Sequence, residues 1–217
     1  MAGPSGATPV LGLPYPVPDD TVDVPRDMQA LATKLDGISS LRPPLVTSLP
    51  GSPADGQEVY YVADAANGIV WFLRYRAAAT GTYKWEFLGG PPLYAELNTQ
   101  ETFTVGSQWT DTATPGPQLT LPLAGDWMTT GGASFSPAPT SGFWNVGAAP
   151  KFGAAAVSGV PLTAFGANGT MNVAGSRVRR DTGIAAGTVV KLQGNVTITG
   201  PVTWANRWLA ITPIRVG

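Results

Sequence analysis

Residues 49–90 read LPGSPADGQEVYYVADAANGIVWFLRYRAAATGTYKWEFLGG, three aromatic and β-branched runs separated by turn residues. The runs cover residues 57–62, 69–76 and 82–88. Asn67 and Gly68 tolerate a positive φ, which predicts a hairpin between the first two runs. Alternation then places one set of side chains on an apolar face: Ile69, Trp71, Leu73, Tyr75, Tyr83, Trp85 and Phe87. The opposite face carries Arg74, Arg76, Lys84 and Glu86. The stretch therefore predicts a three-stranded antiparallel meander with one apolar side.

Such a meander is too small to stand alone, because it leaves two edges unpaired and has no surface against which to bury its apolar face. Either the C-terminal part of the same chain or further copies in an oligomer can supply that surface. The sequence leaves both arrangements open at this point.

The composition favours a mainly β protein. The 217 residues include 27 Gly and 21 Pro, 43% are hydrophobic and 12% are charged. Short strands joined by Gly/Pro turns fit these proportions, and the apolar content can supply a core.

Several classes of function are disfavoured by what the sequence lacks. It contains no His and no Cys, which eliminates Ser-His-Asp and Cys-His catalysis and the usual zinc ligands. A net charge of -1 offers no electrostatic footprint for nucleic acid. No apolar run approaches the roughly 20 residues that span a bilayer. We expect no enzymatic activity, cofactor, metal, nucleic-acid partner or membrane insertion.

Residues 1–42 are predicted to form an extended arm followed by a short helix. Prolines at positions 4, 9, 14, 16 and 18 fix the backbone in extended forms. The arm also carries apolar side chains that are costly to leave in water: Leu11, Leu13, Tyr15 and Val17. A floppy tail is one interpretation, and an arm that docks on a neighbouring protein explains these residues better.

The helix is predicted within DTVDVPRDMQALATKLDGI, residues 20–38. Asp23 can cap it, Pro25 fits the first turn, and Gly37 is placed to end it. Its apolar residues follow an a/d spacing: Val24, Met28, Leu31, Leu35 and Ile38. This stripe is typical of an oligomer seam over two heptads, and an amphipathic helix packed on its own domain is the alternative.

Beyond the Gly-Gly-Pro-Pro break at 89–92, the sequence predicts short strands at even spacing, as in a two-sheet sandwich of jelly-roll type. Gly194 suggests a bulge in one strand, and Pro213 an edge position or a strand end. The predicted organisation is an attachment arm with a helix (1–42), a meander collar (43–92) and a jelly-roll-like head (93–217).

Few residues in the head suggest chemistry. Asp111, Asp126 and Asp181 stand beside Thr or Gly, where Asp most often serves a turn, although two of them could form a glycosidase pair. The cluster of Arg177, Arg179 and Arg180 could bind an anion or acidic saccharide, but pairing with Asp181 or with a carboxylate of a neighbouring subunit is the stronger interpretation. Of the tryptophans, most of which should fill cores and interfaces, Trp144 is the candidate saccharide contact.

Three stretches carry a resemblance to a known class of proteins. GLPYPVPDDTVDVPRDMQALATKLD (12–36) resembles the attachment ends of tailed-phage fibre and minor tail proteins. Residues 48–93 resemble a module of actinobacteriophage virion proteins, and AGTVVKLQGNVTITGPVTWANRWLAITPIRVG (186–217) is similar to the last strands of trimeric jelly-roll fibre heads.

The resemblance implies a homotrimeric structural protein on the surface of a phage particle. Other tail or capsid proteins would hold the arm, and the head would face the host, with a cell-surface glycan as candidate ligand. A short tail fibre or spike is the leading hypothesis, a capsid decoration or head-fibre protein the second, and a glycan depolymerase the third.

Overall fold

The computed structural model describes residues 6–8, 13–17, 23–36, 43–103, 108–137, 143–155, 157, 163–168, 173–196 and 202–217. Contacts divide the chain into two units, Met1–Pro44 and Leu45–Gly217. The first unit contains strands β1 (Gly6–Ala7) and β2 (Pro14–Tyr15) and helix α1 (Val24–Asp36).

The second unit is built from strands alone in its described part, which confirms the prediction of a mainly β protein. The strands are β3 (Leu45–Val46), β4 (Glu58–Asp64), β5 (Ile69–Tyr75), β6 (Trp85–Gly89), β7 (Leu93–Leu97), β8 (Glu101–Phe103), β9 (Gln118–Thr120), β10 (Gly125–Pro137), β11 (Phe143–Phe152), β12 (Thr163–Asn168), β13 (Val173–Ile184), β14 (Val189–Val196) and β15 (Val202–Val216). One sheet has the order β13-β10-β15-β6-β5-β4-β3, with β7 and β8 also paired to β15. The second sheet has the order β12-β11-β14-β9.

The strands from β7 to β15 form a jelly roll. Strands β7 and β8 pair with successive parts of β15, so they act as one interrupted strand. Eight strands then make two layers, β7/β8-β15-β10-β13 and β9-β14-β11-β12, which is jelly-roll strand order. The prediction of a jelly-roll-like sandwich is confirmed.

The predicted meander is present as β4, β5 and β6. Gly68 has a φ of 67° in the turn between β4 and β5, as the turn chemistry requires. Trp71 and Leu73 are fully buried, whereas Arg74 lies on the opposite face and pairs with Glu86 at 3.0 Å. Alternation therefore predicted the two faces correctly.

The apolar face of the meander is covered by the jelly roll of the same chain. Trp71 packs on Trp127 of β10, with ring centroids 5.7 Å apart. The indole N–H of Trp71 also donates to the carbonyl oxygen of Pro91 at 2.9 Å. Residues of both parts form one buried cluster. Of the two arrangements left open by the sequence, the structure has the first, because the C-terminal part of the same chain supplies the surface.

The predicted boundary near residue 93 coincides with the first strand of the jelly roll but differs from the observed grouping. Strand β6 pairs directly with the end of β15, Glu86 opposite Arg215 and Trp85 opposite Val216. The collar and the head thus share one sheet and one core within the unit 45–217.

The prediction of a bulge at Gly194 is wrong. The register between β11 and β14 runs without a shift through Gly194. This glycine instead leaves room for the ring of Trp204, because an added Cβ would lie 2.8 Å from the indole Cζ3. A strand glycine also marks close approach by another group, and here that is its role.

The prediction for Pro213 is wrong about the strand, which is neither an edge strand nor ends there, but one side of β15 lacks a ladder partner at this position, because β7 pairs as far as Ile211 and β6 from Arg215. Pro213 lies inside β15, which pairs with β10 on one side and with β7 and β6 on the other. The β10–β15 register shifts where Trp127 faces Pro213. A bulge accommodates a proline within a central strand, because the ladder is locally interrupted there.

Candidate functional site

Helix α1 begins where the sequence predicted. The Asp23 side chain accepts a hydrogen bond from the backbone N–H of Arg26 at 3.1 Å, so Asp23 is the N-cap. Asp36 is its last residue, and Gly37, predicted to end it, lies outside the described residues.

The predicted oligomer seam follows one side of α1. Val24 and Met28 are 59% and 65% exposed, and Leu31 and Leu35 are half-buried. Ile38 lies outside the described residues. The helix contacts β2 within its own unit, yet two large apolar side chains of the stripe remain in contact with solvent. The seam itself stays a prediction.

In its described residues the arm has extended backbone, as predicted, and β1 pairs with β2 in a short antiparallel ribbon. The backbone N–H of Thr8 donates to the carbonyl oxygen of Leu13 at 2.9 Å, and the Thr8 hydroxyl accepts from the Leu13 N–H. Of the predicted anchoring residues, Tyr15 is 47% exposed and Leu13 and Val17 are half-buried. Leu11 lies outside the described residues.

The arginine cluster on β13 pairs with carboxylates, as the stronger interpretation predicted. Arg179 contacts Asp181 at 2.7 Å, and Arg180 contacts Asp126 at 3.3 Å. Arg177 shares the face of Arg179, as its spacing indicates.

The three candidate aspartates serve structural contacts, including that of Asp181 with Arg179. Asp126 accepts a hydrogen bond from the backbone N–H of Gly183 at 3.0 Å. Asp111 forms an ion pair with Lys191 and accepts a hydrogen bond from Gln193. Within the residues that the structure describes, no group of three or more potential ligands could hold a metal ion. The helix found in the described part of the chain is not long and apolar enough to cross a membrane.

Trp144, the candidate saccharide contact, lies in β11 with its backbone opposite Ala167 of β12. Its role as a saccharide contact stays a prediction. Trp127 and Trp204 are fully buried, as expected for core tryptophans.

A buried guanidinium, not anticipated from the sequence, lies inside the jelly roll. Arg207 is fully buried. It donates to the carbonyl oxygens of Thr99 and Thr114 at 3.2 Å each and also to the Thr112 hydroxyl. Its charge faces Glu101 at 3.5 Å. Arg207 thereby ties the segment after β7 to the loop before β9.

Charge and hydrogen bonding set the ionisation of this cluster. Burial lowers the pKa of Arg207, partly offset by the charge of Glu101. Burial pushes the pKa of Glu101 upward, but hydrogen bonds from Thr114 and Thr112 and the charge of Arg207 outweigh it and hold that pKa below its ordinary value. Alternation along β15 could have predicted this burial, because Arg207 lies two and four positions from the buried Leu209 and Ile211 and therefore on the same face of the strand.

No family model and no curated protein matches the chain. Among solved structures, a chain of infectious bursal disease virus strain Gx matches at TM-score 0.35 and 14% identity, over 77% of this chain and 42% of that one.

Two further matches are VP2 proteins in particles of the same virus. A mutant VP2 in T=1 particles has TM-score 0.31 and 10% identity, over 77% of this chain and 47% of that one. VP2 of a subviral particle has TM-score 0.32 and 13% identity, over 77% and 41%. The chain spans less than half the length of each of these proteins, and the similarities are too low to assign it to a family.

Proposed function

We propose that this protein is a non-enzymatic structural component of a phage particle, a short tail fibre or spike. Its N-terminal unit anchors it to the particle, and its jelly roll faces the host surface. The resemblance of residues 12–36, 48–93 and 186–217 to phage virion proteins supports the assignment.

The observation that carries the proposal is that the two units differ in how they bury their apolar side chains. The buried apolar residues of the described chain all lie between Val59 and Val216, so the C-terminal unit has its own core. The described residues of the N-terminal unit include no buried apolar side chain, and Val24, Met28 and Tyr15 are exposed. The C-terminal unit also exposes apolar side chains, but around a buried core. A small unit with exposed apolar groups, joined to a unit with a complete core, suits attachment to other proteins.

Self-association through α1 is the first such contact. Three stripes of Val24, Met28, Leu31, Leu35 and Ile38 would pair as a short homotrimeric bundle, and the arm residues Leu11, Leu13, Tyr15 and Val17 would contact another virion protein. Burying an exposed side chain of the size of Met stabilises an assembly by about 1.5–3 kcal/mol. Three copies would share that gain around a symmetry axis.

Sedimentation equilibrium of the full chain tests this assembly. We expect a trimer for the unmodified protein and a monomer for Met28→Asp, because the substitution places a charge in the seam. Met128→Asp is the matched control, since Met128 is an exposed methionine on strand β10 of the other unit. A monomeric unmodified protein, or an equal effect of both substitutions, would contradict the seam.

A capsid decoration or head-fibre protein is the second candidate. Only eight residues of sequence, 37–44, separate the end of α1 at Asp36 from the start of β3 at Leu45. A short connection of this kind also suits a protein that lies close to a shell. Immunogold labelling of particles that carry the protein separates the two, because label on the tail supports the fibre and label on the head supports decoration.

A further inference from the structure

A groove of about 590 Å³ lies where the β4–β5 turn, strand β7 and strand β9 meet. Its lining includes Asp64, Asn67, Tyr94, Gln118 and Thr120. The volume is within the range of about 300–1,000 Å³ that is typical of sites for small organic ligands.

The walls of the groove are provided by strands from both layers of the sandwich. Strand β7 pairs with β15 in the larger sheet, and β9 pairs with β14 in the smaller one. The groove therefore opens between the two layers, beside the meander turn. Side chains on paired strands are held more firmly than those on loops, so this arrangement presents its groups at nearly fixed positions.

Tyr94 supplies an aromatic surface in the groove. It is 50% exposed, and its hydroxyl donates a hydrogen bond to Glu96 Oε2 at 2.7 Å. That hydrogen bond, followed by burial, raises the pKa of Tyr94, so the phenol stays neutral. The ring is anchored at its polar end and offers an apolar face to a ligand.

The polar groups around Tyr94 suit hydroxyl groups. Asp64 accepts hydrogen bonds from the backbone N–H groups of Ala66 and Asn67 and, at 2.7 Å, from the Asn67 side-chain amide. These bonds, first that of the Asn67 side chain, lower the pKa of Asp64 and keep it charged. Two carboxylate oxygens can accept about four hydrogen bonds in all, so one position remains for a ligand hydroxyl.

Two neutral side chains on β9 complete the set. Gln118 and Thr120 are exposed, and in the part of the chain that is described their side chains have no hydrogen-bond partner. An amide and a hydroxyl each donate and accept, which matches the dual character of sugar hydroxyls. No Lys or Arg stands among the described residues that line the groove, and the charge of Asp64 opposes an anionic ligand.

We propose that this groove binds a neutral saccharide, with one sugar ring stacked on Tyr94 and its hydroxyls bonded to Asp64, Gln118 and Thr120. The inference deepens the proposed function, on which it rests, because a head that faces a cell meets surface glycans. It places the glycan contact in the groove instead of at Trp144.

The test uses the full-length protein on an array of neutral hexose and N-acetylhexosamine oligosaccharides, with sialylated and uronic-acid oligosaccharides alongside. Calorimetry with the best neutral oligosaccharide then gives the Kd. We expect Tyr94→Ala and Gln118→Ala each to weaken binding about fivefold or more, from the lost stacking or hydrogen bonds. The matched control is Tyr60→Ala, because Tyr60 is a 37% exposed tyrosine outside the groove. Thermal unfolding of each variant verifies that it is folded.

Neutral-sugar binding that Tyr94→Ala and Gln118→Ala both weaken and Tyr60→Ala preserves would support the inference. Binding that neither groove variant alters, binding restricted to anionic glycans, or no binding to the array would overturn it. Capture of an extended peptide by the groove in place of sugar would also overturn it. Immunogold labelling of particles tests the proposed function independently. The protein can therefore be found on the particle even if the groove binds no sugar, and the two proposals fail separately.

Discussion

Substituting Gly194 by Ala should destabilise the C-terminal unit through a steric clash with Trp204. An added Cβ would lie 2.8 Å from Cζ3 of the indole and 3.2 Å from two further ring atoms. The ring cannot yield easily, because it is stacked on Phe135 at 5.7 Å and the guanidinium of Arg207 lies over it at 5.0 Å. The backbone is also held, since Gly194 exchanges two hydrogen bonds of 3.0 Å with Thr110.

The expected cost follows from this geometry. Extra volume in a packed core costs about 1–3 kcal/mol when neighbours cannot move aside. In a protein of this size each kcal/mol lowers Tm by roughly 2–4 °C, so Gly194→Ala should lower Tm by about 2–12 °C. Gly89→Ala is the control, because Gly89 is also a strand glycine and an added Cβ there would have no neighbour within 4 Å. Its unfolding free energy should change by less than about 0.5 kcal/mol.

Urea unfolding of a double-mutant cycle with Trp204→Phe provides the decisive assay. The smaller ring removes the atoms that the new Cβ would meet, so Gly194→Ala should cost less in the Trp204→Phe background, by a coupling of about 0.5–3 kcal/mol. An equal cost in both backgrounds, or a Gly194→Ala protein as stable as the unmodified one, would refute the reasoning.

Three further predictions concern other contacts. The pKa of Glu101 is lowered in the folded protein, so its stabilising contribution is present above its ordinary pKa of about 4.3 and is lost as pH falls through the folded value. The difference in unfolding free energy between the unmodified protein and Glu101→Gln, measured by urea unfolding, should therefore shrink from pH 6 to pH 3. A constant difference would contradict this prediction. Asp23→Ala should reduce helicity at 222 nm by removing a cap that contributes about 1 kcal/mol, whereas unchanged ellipticity would argue against the cap. Trp71→Phe should lower the stability of the whole C-terminal unit by about 1–3 kcal/mol through the lost contact with Trp127 and the lost hydrogen bond to Pro91; separate transitions for meander and jelly roll would contradict the shared core.

Local patterns were sufficient to predict much of this fold. Period-two alternation identified the buried side of the meander, and turn residues such as Gly68 located the hairpin. The jelly-roll architecture followed from the number and spacing of the short strands. Capping chemistry placed the start of α1 at Asp23.

What escaped prediction depends on contacts between distant parts of the chain. The sequence showed that Trp71 must pack against another apolar surface but could not identify its partner Trp127, which lies more than fifty residues away. Gly194 was assigned a local bulge because its actual neighbour, Trp204, is brought to it by the packing of two sheets. Arg207 lies on the inward face of its strand by alternation, yet only the folded loops show which oxygens accept its hydrogen bonds. The groove at Tyr94 likewise forms from three separate segments.

The central position of β15 sets the order in which the C-terminal unit can form during synthesis. This strand pairs with β10, β6, β7 and β8, and all four precede it in the chain. Until residues 202–216 have been synthesised, the edges of β6, β7, β8 and β10 that pair with β15 have no hydrogen-bond partner from that strand. The larger sheet therefore closes only after Val202–Val216 has been translated, and nascent chains that stall earlier expose strand edges that chaperones must shield.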